Sequence, residues 1–174
     1  GVKLKATVSE FGPVLMSQIL DLNDTQSGIL SLIFRYCDMK HLPLLDLMDL
    51  RSILKYAINE GKAEITKEFG AVSSNSVNTI LRKIIELEQQ GAENFYGERS
   101  FEVEDFVRQE SGRGVVSIIR LTDIQNRPKL FSTFMLSLLS EIYETFPEQG
   151  DQEAPKLCLF IDEAHLVFSN ASKD

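Results

Sequence analysis

The chain has few cysteines, and the two that it has are far apart. Only Cys37 and Cys158 occur among 174 residues. Their separation is unlike the closely spaced Cys and His pairs of metal-binding modules. Cys158 lies in an apolar stretch, where a small core residue is the simplest interpretation. We therefore expect no metal site with cysteine ligands.

Long apolar runs are also missing. No stretch of about 18 residues, the length that a transmembrane helix needs, is free of charged or strongly polar side chains. The first five residues, GVKLK, lack the long apolar segment of a signal peptide. We therefore expect a soluble, cytoplasmic protein with no membrane partner, long enough to bury a hydrophobic core.

Positive charge is scarce and scattered. The formal net charge is −8, and Arg82 and Lys83 form the only adjacent basic pair away from the termini. Proteins that neutralise DNA phosphates usually present a basic face. By itself, the chain is expected to bind nucleic acid poorly.

A phosphate-binding loop is missing as well. Such a loop has the pattern GxxxxGK(S/T), whose backbone N–H groups surround the phosphates while the lysine reaches their outer oxygens. The only Gly-Lys pair is Gly61-Lys62, with Tyr56 in place of the first glycine and Ala63 in place of the hydroxyl residue. It also follows a helical pattern instead of a strand, so this pair is not a P-loop.

Near the C-terminal end, five apolar residues precede two acids. Residues 157–161 (LCLFI) predict a strand buried on both faces, as in a parallel sheet, and Asp162 and Glu163 follow where it should end. Ligands of open α/β sheets bind at the carboxyl ends of strands. The pattern is typical of a Walker B segment, in which Asp162 would help hold Mg²⁺ and Glu163 would activate the attacking water. The alternative is a strand that stops with two solvated acids.

Helical periodicity dominates the first two thirds of the chain. Apolar residues at helical spacing predict helices after Gly12-Pro13, from Asn23 or Asp24 to Met39, and from Asp46 to Gly61. Further helices are predicted at 66–69, from Ser73 and Ser74 to Gly91, and at 103–108. Residues 3–8 alternate weakly and could form a short strand. We interpret 1–12 as a strand or linker and 13–110 as a helical subdomain.

After residue 111 the pattern changes to strand, helix, strand. Residues 114–121 are rich in β-branched side chains, an apolar helix is predicted from Pro128 to Phe146, and the 157–161 strand follows. A unit of this kind has parallel strands and a right-handed crossover. The predicted fold class is α/β: a helical insertion plus a partial parallel sheet in residues 111–174.

The order of these segments resembles the HerA/FtsK superfamily of P-loop ATPases, and most closely its bacterial YjgR-type members. The resemblance rests on LNDTQSG (22–28), LLDL (44–47), DLR (49–51), LEQQG (87–91), SGRGV (111–115) and FIDEAH (160–165). It implies a RecA-like core whose P-loop strand and remaining sheet lie outside this chain. Because residue 1 is Gly1 and the chain stops just after the acidic pair, we expect an internal fragment of a longer protein.

The resemblance also implies a function for the intact protein. It would bind ATP with Mg²⁺ held by Asp162, hydrolyse ATP with Glu163 as the catalytic residue, and form a homo-oligomer, for example a hexameric ring. His165 follows the acids and is a candidate nucleotide-binding residue; the alternative is an ordinary histidine at the start of a loop. DNA is a candidate substrate of the intact motor, although the acidic fragment does not support it. Arg113 either serves as an arginine finger or fixes a turn, and Arg120 either pairs with an acid or lies at a sheet edge. The alternative function is a non-catalytic helical interaction module.

Overall fold

Helices make up most of the fold. The structure, a computed structural model, describes residues 5–98, 102–121, 124, 127–146, 150, 153–162 and 164. Within these ranges the α-helices are α1 (Val8–Ile19), α2 (Asp24–Lys40), α3 (Leu47–Ile58), α4 (Lys62–Phe69), α5 (Ser74–Gln89) and α6 (Pro128–Thr145). Two short 3₁₀ helices (Ala92–Asn94 and Val103–Val107) and two strands, β1 (Gln109–Glu110) and β2 (Arg113–Gly114), complete the elements. The described part of residues 13–110 is mostly helical, as predicted, although β1 at its end is a strand.

Three of the described α-helices begin with the same reciprocal cap. In α2, the Asn23 side chain accepts from the Gln26 N–H, and the Gln26 side chain accepts from the Asn23 N–H. This capping box satisfies two backbone donors that the first turn leaves without partners. The same arrangement joins Asp46 to Asp49 before α3 and Thr7 to Glu10 before α1.

The box at Thr7 corrects the predicted start of the first helix. We expected this helix to follow Gly12-Pro13, whereas α1 begins at Val8. Gly12 has a positive φ of 66° inside α1, so the helix is kinked there, immediately before Pro13. The Gly-Pro pair therefore marks a bend within α1, and the Thr-x-x-Glu pattern at residues 7–10 was the signal of its true start.

The first of two compact units, Gly1–Ser100, has a closed helical core. In this unit α1 packs on α2, while α5 packs on α2 and α3. The predicted apolar stripes line the buried faces: Leu30 and Ile33 of α2, Leu50 and Leu54 of α3, and Ile80 and Ile84 of α5 are fully buried. These stripes are the core of the unit, as their helical spacing predicted.

The two ends of this unit lie side by side. The Ala6 N–H donates to the Phe95 carbonyl at 3.1 Å, and the Gly97 N–H donates to the Ala6 carbonyl at the same distance, which forms a single parallel bridge. The strand predicted at 3–8 is therefore only this bridge within residues 5–8, because Val8 already belongs to α1. Tyr96 lies at the bridge, 1 % exposed, with its ring edge-on to Phe11 and Phe95.

The second unit, Phe101–Asp174, departs from the predicted sheet. Its described strands are β1 and β2, which form an antiparallel hairpin. Residues 115–121 and 156–161 carry no strand structure, so the parallel βαβ sheet is not formed within the described residues. Val116 is 87 % exposed and Ile118 78 % exposed, which is the state of strand-forming residues without neighbouring strands. The predicted boundaries at 12/13 and 110/111 remain predictions.

Helix α6 matches its sequence pattern. Pro128 occupies its first turn, where a missing N–H costs nothing. Residues 130–135 are all buried, so α6 is covered on more than one face. Burial on several faces is what a helix enclosed between two layers would show, and the position of α6 between layers stays a prediction.

We expect the Tyr96 ring to contribute much more to stability than its hydroxyl. The Tyr96 hydroxyl donates a hydrogen bond to the Met16 sulfur at 3.5 Å, and a thioether sulfur is a weak acceptor. Tyr96→Ala should lower the free energy of unfolding of the helical unit by about 3–5 kcal/mol. Tyr96→Phe, the matched control, should change it by less than about 1 kcal/mol. Urea unfolding followed by circular dichroism measures both, and equal losses would contradict this packing role.

Candidate functional site

The acidic pair is described only in part. Asp162 lies at an exposed turn, and Ala164 is half-buried. Glu163 and His165 fall outside the described residues, so the structure does not describe how the three predicted site residues lie relative to one another. Their roles remain predictions.

The apolar lead-in to Asp162 is not buried. Phe160 is 96 % exposed and Leu159 is 47 % exposed, and the segment 157–161 is not a strand. Cys158, interpreted from the sequence as a core residue, is also exposed. Each correction has the same physical reason: a strand buried on both faces is covered only when its sheet neighbours are present.

The donor chemistry of Asp162 fits Mg²⁺. In nucleotide-dependent enzymes this ion is usually bound through one or two carboxylates, with phosphates and waters as the remaining ligands. Among the described residues no group of three or more His, Cys, Asp or Glu side chains converges on one point. Asp162 can thus be one protein ligand, but the described part of the chain contains no complete protein cage for a metal.

The hairpin β1–β2 clarifies the position of Arg113. Ser111 (φ 53°) and Gly112 (φ 74°) form a two-residue turn in the left-handed region, and Arg113 is the first residue after it. Such turns match the twist of the flanking strands and favour glycine. Arg113 is exposed beside the turn, and Arg120 is exposed outside any strand. This geometry favours the turn interpretation of Arg113 and leaves the finger role as a hypothesis.

Two of the family-like sequence segments meet in the helical unit. Arg51 of the DLR segment donates from Nη1 to both carboxylate oxygens of Glu88 in the LEQQG segment, at 2.9 and 3.2 Å. The side chains are 29 % and 16 % exposed, so the ion pair is partly desolvated. The Arg51 Nε is buried and has no hydrogen-bond partner among the described residues. These segments therefore join α3 to α5, which is a structural role within this unit.

A second polar cluster was not predicted from the sequence. Glu64 of α4 accepts hydrogen bonds from Tyr36 (3.1 Å) and Tyr56 (3.3 Å), and Lys40 pairs with its other oxygen at 2.5 Å. The Lys40 ammonium also lies 5.6 Å from the centre of the Tyr36 ring. The hydrogen bond from Lys40, then that from Tyr36, lowers the pKa of Glu64, while burial raises the pKa of Tyr36. The i, i+4 spacing of Tyr36 and Lys40 places both side chains on one face of α2, and this was the only sequence signal of the cluster. The contact with Glu64 depends on the tertiary packing of α4, which the sequence pattern does not show.

The comparisons with known proteins place the chain in a family. Residues 1–174 match the helicase HerA-like C-terminal family along their whole length. The chain belongs to this family. No curated protein and no solved structure gave a significant match. Within the described residues, no helix is long and apolar enough to cross a membrane.

The family membership confirms the HerA-like part of the resemblance. The match covers the helical unit as well as the acidic segment. The closer likeness to YjgR-type proteins stays a prediction. The Walker B interpretation of Asp162 and Glu163 stays a prediction.

The Arg51–Glu88 pair should be energetically coupled. Glu88→Ala leaves a partly buried guanidinium without its carboxylate, and we expect it to lower the free energy of unfolding by about 1–3 kcal/mol. Arg51→Met removes the charge and should rescue part of that loss in the double variant, with a coupling energy of about 1 kcal/mol. Glu86→Ala, an exposed acid on the same helix, is the control and should change stability by less than about 0.5 kcal/mol. Additive effects of the Arg51 and Glu88 substitutions in denaturant unfolding would refute the coupling.

Proposed function

We propose that this chain supplies the Walker B part of a HerA-like ATPase whose P-loop lies elsewhere in the intact protein. The observation that carries the proposal is the family match over residues 1–174, which includes the FIDEAH segment at 160–165. The intact protein would bind ATP with Mg²⁺ and use its hydrolysis to drive a motor. DNA is a candidate for what the motor moves, and a homo-oligomer such as a hexameric ring is the proposed working form.

The exposed apolar segments support this proposal. Val116, Ile118 and Phe160 belong to two segments with strand composition, and each is more than three quarters exposed. So many exposed aliphatic and aromatic side chains indicate a surface that another structural element covers in the intact protein. Sheet strands from the rest of the intact protein would bury these side chains and pair the backbone of both segments.

The two acids would divide the chemistry. Asp162 would hold Mg²⁺ together with the nucleotide phosphates, and the bound ion would neutralise charge on those phosphates. Glu163 would accept hydrogen bonds from the attacking water and take its proton, because its carboxylate directly follows that of Asp162 at the proposed strand end. His165, two residues further, would lie near the same nucleotide. Each role is assigned from the motif and awaits the measurements below.

The 174-residue chain alone should not hydrolyse ATP. Without a P-loop, the phosphates lack the backbone N–H groups and the lysine that stabilise charge in the transition state. Phosphate release measured with ATP and Mg²⁺ should equal that of a protein-free control. Turnover above this control that Glu163→Gln abolishes would show that the chain has a phosphate site of its own.

In the intact protein, substitutions of the two acids should have different effects. Asp162→Asn should weaken the binding of Mg²⁺-ATP, because its charge acts on the metal in the ground state. Glu163→Gln should leave binding nearly unchanged and lower kcat by about 10²–10⁴-fold, since a general base acts mainly in the transition state.

Nucleotide affinity and kcat, measured side by side for both variants, separate these roles. Glu153→Gln is the matched control, because it removes an exposed carboxylate upstream of the motif and should preserve both quantities. Wild-type turnover in Glu163→Gln would rule out the catalytic role of Glu163.

A non-catalytic helical interaction module is the second candidate function. The observation that favours it is the closed core of the unit Gly1–Ser100, whose two ends meet at the Ala6–Tyr96 bridge. The sequence upstream of Gly1 discriminates between the candidates: a strand followed by GxxxxGK(S/T) supports the ATPase, and another kind of sequence supports the module.

A further inference from the structure

Helix α4 is the least anchored helix of the first unit. It has eight residues, and Ile65 is its only buried one. Its N-terminal cap, Gly61, provides no side-chain hydrogen bond. At its other end Gly70 has a positive φ of 90°, in the region that glycine adopts most readily. A short helix with one buried side chain and a glycine at each end is expected to open at low cost.

Polar contacts compensate for this weak apolar anchoring. The Glu64 carboxylate accepts from Tyr36 and Lys40 of α2 and from Tyr56 of α3. Charged acceptors make stronger hydrogen bonds than neutral ones. One side chain of α4 is therefore tied to both neighbouring helices.

Tyr56 also holds the hinge between α3 and α4. A Cβ atom at Gly61 would overlap the Tyr56 ring, so the ring rests directly on the glycine backbone. The Gly61 N–H donates to the Tyr56 carbonyl at 2.9 Å. At the other end of α4, the Phe69 ring lies edge-on to Tyr36 with 6.4 Å between the ring centres. This packing gives Tyr56 and Gly61 a structural role in the turn between α3 and α4.

We propose that α4 is a flap that opens as a unit about Gly61 and Gly70, and that Glu64 is the latch that holds it closed against α2 and α3. Opening separates Glu64 from Tyr36, Tyr56 and Lys40 and uncovers Ile65 and the Tyr36 ring, which are 0 % and 4 % exposed when the flap is closed. The flap is a conformational device of the helical unit and does not depend on the proposed ATPase activity.

The charges around the latch set the pH range of closure. The groups that act on it are Lys40 and Tyr36 of α2, Tyr56 of α3 and Glu68 of α4 itself. The pKa of Glu64 is lowered, so its stabilising effect is present above the ordinary pKa of about 4.3 and is lost as pH falls through the lowered value. The pKa of Lys40 is raised, so its effect is present below about 10.4 and is lost as pH rises through the raised value. Closure is thus strongest near neutral pH.

Amide hydrogen exchange on the whole 174-residue chain tests the flap. In the wild-type chain the amides of 65–69 should exchange at least about tenfold faster than those of α5, because they open without global unfolding. Glu64→Ala should accelerate exchange in 65–69 by about a further tenfold and change α5 by less than about twofold. Lys67→Ala, an exposed residue of the same helix, is the control and should change both segments by less than about twofold.

A second variant, Gly61→Ala, should favour the open state through a steric clash. Gly61→Ala places a methyl group against the Tyr56 ring and should accelerate exchange in 65–69 while leaving α5 protected. Exchange of 65–69 and α5 at one common rate in the wild-type chain would overturn the proposal. Equal acceleration of all helices by Glu64→Ala would overturn it too, because Glu64 would then support global stability and not a local latch.

Discussion

Backbone hydrogen bonding divides this chain into a part that is complete and a part that depends on neighbours. A helix pairs its N–H and C=O groups within itself, whereas a parallel strand pairs them only with another strand. The helical unit needs nothing more than its own apolar stripes, with Leu54 and Ile84 fully buried between packed helices. The segments 115–121 and 157–161 have the composition of strands but form no strand, and Val116, Ile118 and Phe160 within them are exposed. The same constraint explains why the proposed catalytic acids follow an uncovered segment.

The sequence predicted the helical part of the fold well because helix signals are local. Asn23 and Asp46 are N-caps, and the apolar spacing of α2, α3 and α5 matches their buried faces. The predictions that failed involved longer-range effects or a signal that was overlooked. The strand at 3–8 is only a bridge, since Val8 is taken into α1 by the Thr7–Glu10 box. The predicted parallel sheet is not formed within the described residues, because a strand pairs with residues far away in the sequence and a local pattern does not specify that partner.

The candidate site was predictable in part for the same reason. A run of apolar residues before Asp162 and Glu163 is a local pattern that can be seen in the sequence. The family match over the whole chain agrees with the HerA-like resemblance. The cluster around Glu64 could not be predicted, because it requires α2, α3 and α4 to converge in space. The Arg51–Glu88 pair was equally hidden, although both residues lie in segments that resemble the family. The role of such a segment can be assigned only when the residues that it contacts in the fold are known.

The central claim is that residues 115–121 and 157–161 are neighbouring parallel strands of a nucleotide-binding sheet in the intact protein. An experimental structure of that protein with Mg²⁺ and a non-hydrolysable ATP analogue tests it directly. We expect the two segments to be parallel strands, with Asp162 at the carboxyl end of the second strand beside the bound nucleotide. Antiparallel pairing of the two segments, or an Asp162 carboxylate far from the nucleotide, would contradict the claim.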